Sequence, residues 1–179
     1  EHTFIPTLKL DGTSCTIISI SEEDKNYYNT ERDAVFETSS HYRLALCSHN
    51  LQLKINEDNS MFKAIKKDNI FEKLAQLNIK NNTYYALQGE VMGPAIQKNR
   101  EKLPNAHFFA FNLYDLKSKK YVNFETAAEW FQELGIPHTP IIEKPFKVFD
   151  VFSDIKYLID YAEGESLNNT IREGVVFKS

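Results

Sequence analysis

Thr83-Tyr84-Tyr85-Ala86-Leu87-Gln88-Gly89-Glu90-Val91-Met92, stopped by Gly93-Pro94, reads as a β-strand. His107-Phe108-Phe109-Ala110-Phe111-Asn112-Leu113-Tyr114-Asp115-Leu116 reads as a second, strongly aromatic strand. Working outward, Thr13 to Ser21 alternates in places and is rich in Thr, Ile and Ser, so it reads as a strand. Tyr42 to Leu53 does too, with a turn at Ser48-His49-Asn50. Gly174 to Lys178 is a last strand. Helical spacing appears in three places. One helix is expected over Ser60 to Leu77 with Ser60 as N-cap, and one over Glu125 to Leu134, stopped by Gly135 and Pro137. A third is expected over Ser153 to Glu163 with Ser153 as N-cap. Strands and helices mix without regular alternation. That pattern points to an α+β fold of mainly antiparallel sheets flanked by helices, not a doubly wound parallel sheet.

The bulk composition agrees with one globular domain over residues 1–179. Hydrophobic residues make up 42% and charged residues 26%. A net charge of −4 excludes a protein that coats nucleic acid by overall charge, though not an enzyme with a local basic groove. Cys15 and Cys47 provide no disulfide framework and read as reduced, packed thiols. The first residues lack a signal-peptide pattern, and no apolar run approaches the roughly 20 residues that span a bilayer. An intracellular (cytoplasmic or nuclear) monomer with no membrane partner is expected.

Four segments carry candidate chemistry. Lys9-Leu10-Asp11-Gly12-Thr13-Ser14 offers a lysine that becomes nucleophilic once burial and nearby cations lower its pKa. In it, Asp11 is suited to hold a metal-bound water, and Gly12 lets the backbone approach a nucleotide. A turn lysine before Asp-Gly is the plainer reading of that segment alone. Glu90 stands beside Val91 and Met92, where a carboxylate needs a partner. Period-2 alternation puts Phe109 and Phe111 on one face of their strand, where a ring can stack on a nucleobase, and Phe108 and Ala110 on the other. Arg172-Glu173-Gly174-Val175-Val176-Phe177-Lys178 places a carboxylate at the head of an apolar strand.

Each segment is ambiguous alone; their order is not. Lys-x-Asp-Gly, a strand Gly-Glu, an aromatic strand and Glu-Gly-Val-Val resemble the ordered motifs of the covalent nucleotidyltransferases. That superfamily comprises ATP-dependent RNA and DNA ligases and mRNA capping enzymes. The chain resembles the RNA ligases most. Thr13-Ser14 follow Gly12 as they often do there, whereas DNA ligases and capping enzymes usually carry Arg where Ser14 stands. Gly93-Pro94-Ala95-Ile96-Gln97-Lys98-Asn99 is similar to their Gly-Pro-x-Ile-Gln-x-Asn run, and REGVVFKS is similar to their fourth motif.

The resemblance implies a nucleotidyltransferase (ATP-grasp-like) domain of the kind that carries a separate OB domain. Lys9 would accept AMP from ATP and pass it to an RNA 5′-phosphate, after which a 3′-OH seals the phosphodiester. Asp11, Glu90 and Glu173 would hold Mg²⁺ or Mn²⁺ through its water shell. Lys9, Leu10, Gly12, Glu90, Glu173 and Phe111, with Phe109 as the alternative ring, would bind the nucleotide. Arg43, His49, Gln97, Lys98, Asn99 and Arg100 would meet RNA or phosphate. Several positions depart from the family pattern. His49 stands where an arginine is expected, with Arg43 in an alternative register, and Asn112 replaces a frequent Asp. Thr7-Leu8 precede Lys9 where many members have Glu, which bears on ATP against GTP. Lys178 lies too near Glu173 to serve as the final motif lysine, so a fragment lacking that motif and the OB domain is expected. A DNA ligase, a capping nucleotidyltransferase and a catalytically silent RNA- or nucleotide-binding module stand as alternatives.

Overall fold

The computed structural model describes residues 3–24 and 41–179. In chain order its elements are β1 (Thr3–Leu8), β2 (Thr13–Ser21), β3 (Tyr42–Cys47), α1 (Ser60–Lys67), α2 (Ile70–Asn81), β4 (Tyr85–Met92), β5 (His107–Asp115), β6 (Lys120–Tyr121), α3 (Phe124–Leu134), β7 (Phe146–Lys147), α4 (Val148–Val151), α5 (Ile155–Ala162) and β8 (Val175–Lys178). The strands form two antiparallel sheets, one of five strands in the order β3-β2-β4-β5-β6 and one of three in the order β7-β1-β8. This is the expected α+β architecture of antiparallel sheets flanked by helices.

The larger sheet packs α1, α2 and α3 against it, burying Ile17, Leu46, Phe71, Leu87, Phe108 and Phe131 among others. Each such side chain contributes roughly 1.5–3 kcal/mol by leaving water. Asn78 ties α2 to the sheet: its Nδ2 donates to the Ser19 carbonyl (2.7 Å) and its Oδ1 accepts from the Tyr85 amide (3.1 Å).

The single helix expected over Ser60 to Leu77 is two. Asn69 takes a left-handed backbone (φ 51°), which breaks the i to i−4 ladder between α1 and α2. The caps also shift. Asn59, not Ser60, caps α1 by accepting from the Met61 and Phe62 amides (2.9 and 3.2 Å). Asp154, not Ser153, caps α5 by accepting from the Lys156 amide (3.1 Å). In both cases the neighbouring carbonyl-bearing side chain reaches the free N–H groups first. α3 runs to Leu134 and ends at Gly135 (φ 64°), as its Gly-x-Pro stop predicts. β3 ends at Cys47, and Ser48–Leu51 then turns the chain back.

Candidate active site

β1 delivers Lys9. This strand pairs with β8 in the register Thr7↔Val176 and Leu8↔Val175, and the Lys9 amide donates to the Gly174 carbonyl (3.1 Å). That pairing places Glu173 beside Lys9 across 164 residues of sequence, and Lys9 Nζ donates to Glu173 Oε1. The Lys9 side chain is half exposed, so the structure supports the lysine through an ion pair and not through the burial anticipated from sequence.

After Lys9 the chain turns into β2, which pairs with β4 in the register Ser14↔Glu90. The Gly12 amide donates to Glu90 Oε1 (3.1 Å). A Cβ on Gly12 would lie 2.3 Å from the Val91 carbonyl oxygen and 2.7 Å from Met92 Cγ. The glycine is therefore required by the close crossing of β4, a reason distinct from the nucleotide approach expected for it.

β5 delivers Phe111. A register shift opposite Gln88/Gly89 leaves Phe108 and Ala110 fully buried, with Phe109 and Phe111 on the other face. Phe109 packs on the cluster of Leu8, Leu10 and Met92, whereas Phe111 faces open space. That space is a cavity of about 360 Å³ lined by Thr7, Leu8, Lys9, Leu10, Asp11, Gly12, Glu90, Phe111, Thr139, Glu173, Val176 and Lys178. Its size lies within the range of small-ligand sites. All the residues expected at the nucleotide, apart from Phe109, meet there.

Charge in the cavity is crowded. Burial pushes the Glu90 carboxyl up to about 7. The Gly12 amide and Lys9 pull it back, while Glu173 and Asp11 push it further. Asp11 is answered by Arg100, with Nε 3.2 Å from Oδ2. Among the described residues no group of three or more His, Cys, Asp or Glu stands ready to hold a metal directly. Asp11, Glu90 and Glu173 line one cavity and feel one another's charge. Their oxygens are the hard donors that Mg²⁺ and Mn²⁺ take, directly or through bound water.

Lys178 lines this cavity, a place the sequence analysis did not give it when it weighed Lys178 only against the final motif. Its Nζ donates to Asn112 Oδ1 (2.9 Å) and sits 5.1 Å from the Phe111 ring centroid and 5.9 Å from that of Phe124. Burial pushes its ammonium pKa down. The signal was present: strand alternation from Val176 puts Lys178 on the same face. Thr139 was also unforeseen, since it comes from a loop without a motif.

The residues expected at RNA lie outside the cavity. Arg43 is on β3, with Nε 3.8 Å from Glu22 Oε1, and His49 is on the exposed turn after β3. Gln97 and Lys98 are exposed on the turns after β4, where Asn99 bonds Leu103 through both amide atoms (3.0 Å each).

A family model described as RNA ligase matches residues 2–179. The chain belongs to the RNA ligase family. Solved structures of an RNA ligase from Naegleria gruberi share its fold. One with pyrophosphate is 27% identical with a TM-score of 0.77, and a point variant with ATP and Mn is 27% identical with a TM-score of 0.76. Another variant, with AMP and Mn, is 26% identical with a TM-score of 0.76. The matches to the first two cover 98% of this chain and 45% of those chains, so this RNA ligase family chain spans less than half their length. No curated protein matches it. No helix among the described residues is long and apolar enough to cross a membrane.

Proposed function

We propose that residues 1–179 form the adenylyltransferase domain of an ATP-dependent RNA ligase, with Lys9 as the AMP acceptor. One observation carries the reading. Lys9, Glu90, Phe111 and Glu173 come from four separate segments and line a single cavity in a chain of the RNA ligase family. The ATP, AMP, pyrophosphate and Mn of the Naegleria structures support the choice of nucleotide and ion.

In the first step the Lys9 Nζ lone pair attacks the α-phosphorus of ATP. An N–P bond forms as the bond to pyrophosphate breaks, leaving lysyl-AMP. The Lys9 amine must be free of its extra proton to attack, and Glu173, which accepts a hydrogen bond from Nζ, is the base within reach to take it. Phe111 stacks on the adenine, and Gly12 and Leu10 shape the floor. Asp11, Glu90 and Glu173 would hold a hydrated Mg²⁺ or Mn²⁺, which would supply positive charge to the phosphate oxygens. AMP then passes to the 5′-phosphate of an RNA end, and a 3′-OH displaces it to seal the strand. Arg43, His49, Gln97, Lys98 and Asn99 lie outside the cavity, where the backbone of such an RNA is the fitting partner.

The test is incubation with ATP and Mn²⁺ followed by intact mass measurement. One added AMP, lost in Lys9→Ala, is expected. No adduct in the full-length gene product, or an adduct that survives Lys9→Ala, refutes the reading.

A further inference from the structure

The turns after β4 are conformationally unusual. Ala95, Gln97, Asn99 and Lys102 all have positive φ (62°, 47°, 43° and 52°). Non-glycine residues rarely adopt this backbone, and it persists only where the surroundings over-determine it. Here they do. Asn99 clasps Leu103 through Oδ1 and Nδ2 (3.0 Å each). Glu101 is 2% exposed. Its carboxylate accepts from Thr170 Oγ1 (2.9 Å) and the Asn168 amide (3.3 Å), and its carbonyl accepts from Asn168 Nδ2 (2.7 Å).

Arg100 is therefore held on a rigid mount between two clasped neighbours. Its side chain bridges the cavity mouth. Nε lies 3.2 Å from Asp11 Oδ2, and Nη1 donates to the Ile171 carbonyl (3.5 Å), two residues before Glu173. One guanidinium thus links the turn carrying the lysine to the segment carrying Glu173. It does so through one oxygen of a carboxylate that lines the nucleotide cavity.

We propose that Arg100 is a positioning residue that holds Asp11 in place of the divalent ion and competes with that ion for it. Metal entry releases the guanidinium, whose mount keeps it at the cavity mouth with its donors free for phosphate oxygens. The identity of the ion rests on the proposed function; the competition for Asp11 rests on the geometry. Two further features fit this role. The contact is monodentate, so it is exchangeable in a way a bidentate fork is not. It is also partly solvated, with side-chain exposures of 40% and 25%, so its strength is modest enough for a divalent ion to displace it.

The experiment is nucleotide-free Mn²⁺ titration, with free Mn²⁺ read by electron paramagnetic resonance. Arg100→Gln removes the competitor and should tighten Mn²⁺ binding about two- to fivefold, the scale of one partly exposed ion pair. Asp11→Asn should weaken Mn²⁺ binding, and adding Arg100→Gln to it should change nothing further. Unchanged or weaker binding in a folded Arg100→Gln variant overturns the proposal, as does a gain that persists on the Asp11→Asn background. If Arg100→Gln fails to fold, Arg100→Lys serves, because a lysine keeps the charge but loses the Nε–H that reaches Asp11. It should bind Mn²⁺ more tightly than wild type, and wild-type affinity or weaker overturns the proposal. The readout is independent of lysyl-AMP formation. A shifted Mn²⁺ affinity without an AMP adduct would leave this inference standing and refute the proposed function. The converse would do the opposite.

Discussion

Asn112→Asp puts a carboxylate where the amide oxygen now accepts from Lys178 Nζ at 2.9 Å. Among the described residues no carboxylate pairs with Lys178, and burial pushes its pKa down. At this separation the gross Coulomb attraction is about 6 kcal/mol for an effective dielectric near 20. Desolvating the new carboxylate and partial solvent screening cancel most of that, leaving a coupling on the order of 1–2 kcal/mol. A gain of 1 kcal/mol corresponds to roughly 2–4 °C in Tm for a chain of this length.

The pH dependence has a definite sign. A lysine whose folded pKa lies below its unfolded value binds more protons unfolded. Its stability contribution is present above the unfolded pKa and lost as pH falls through the folded one. Below its folded pKa wild-type Lys178 therefore carries its full desolvation cost. Asn112→Asp raises the folded pKa and relieves that cost, so the gain is largest where the lysine is protonated and shrinks as it deprotonates in alkali. The assay is urea unfolding of wild type, Asn112→Asp, Lys178→Met and the double variant at pH 7 and pH 10. A coupling below about 0.3 kcal/mol at pH 7, or one that grows toward pH 10, would refute the placement of Lys178.

Phe111→Leu should weaken ATP binding by about 1–3 kcal/mol, the worth of one stacked base, while Phe109→Leu should leave it within about twofold; calorimetric titration with ATP decides this. Gly12→Ala forces a Cβ to within 2.3 Å of the Val91 carbonyl. It should cost about 1–3 kcal/mol or more in denaturant unfolding, and wild-type stability would contradict the close crossing of β2 and β4. Burial is the main cause that pushes the Cys15 thiol far up, and Cys47 and Glu90 add to it. Cys15 should therefore resist a thiol-specific disulfide reagent in the native state at pH 8 and react only on unfolding. Native labelling of a Cys47→Ser variant would show otherwise.

What could be read in advance followed the range of the signal. β2, β4, β5, β8 and α3 were legible because their hydrophobic period and stop residues are local. β1 was not, because Thr3–Leu8 is buried at four consecutive positions and contains Pro6, so it shows no alternation. β6 and β7, two residues each, carry too little pattern to register. The break between α1 and α2 turns on the backbone sign of Asn69, which hydrophobic spacing does not encode.

The site divides along the same line. Its motif residues were legible as types in order, but their relation to one another was not, because it is made by the pairing of β1 with β8. That pairing also places Lys178. Measured along the chain, Lys178 is only five residues from Glu173. Measured across the sheets, Glu173 reaches Lys9 at one end of the cavity while Lys178 lies against Phe111, beneath the place a base would stack. A single short strand thus serves both ends of one cavity, the acid before its head facing Lys9 and the lysine near its foot facing the aromatic ring. Asn112 at that foot gives Lys178 a neutral hydrogen-bond partner, so the ammonium is held by an amide oxygen and the ring face and not by a carboxylate.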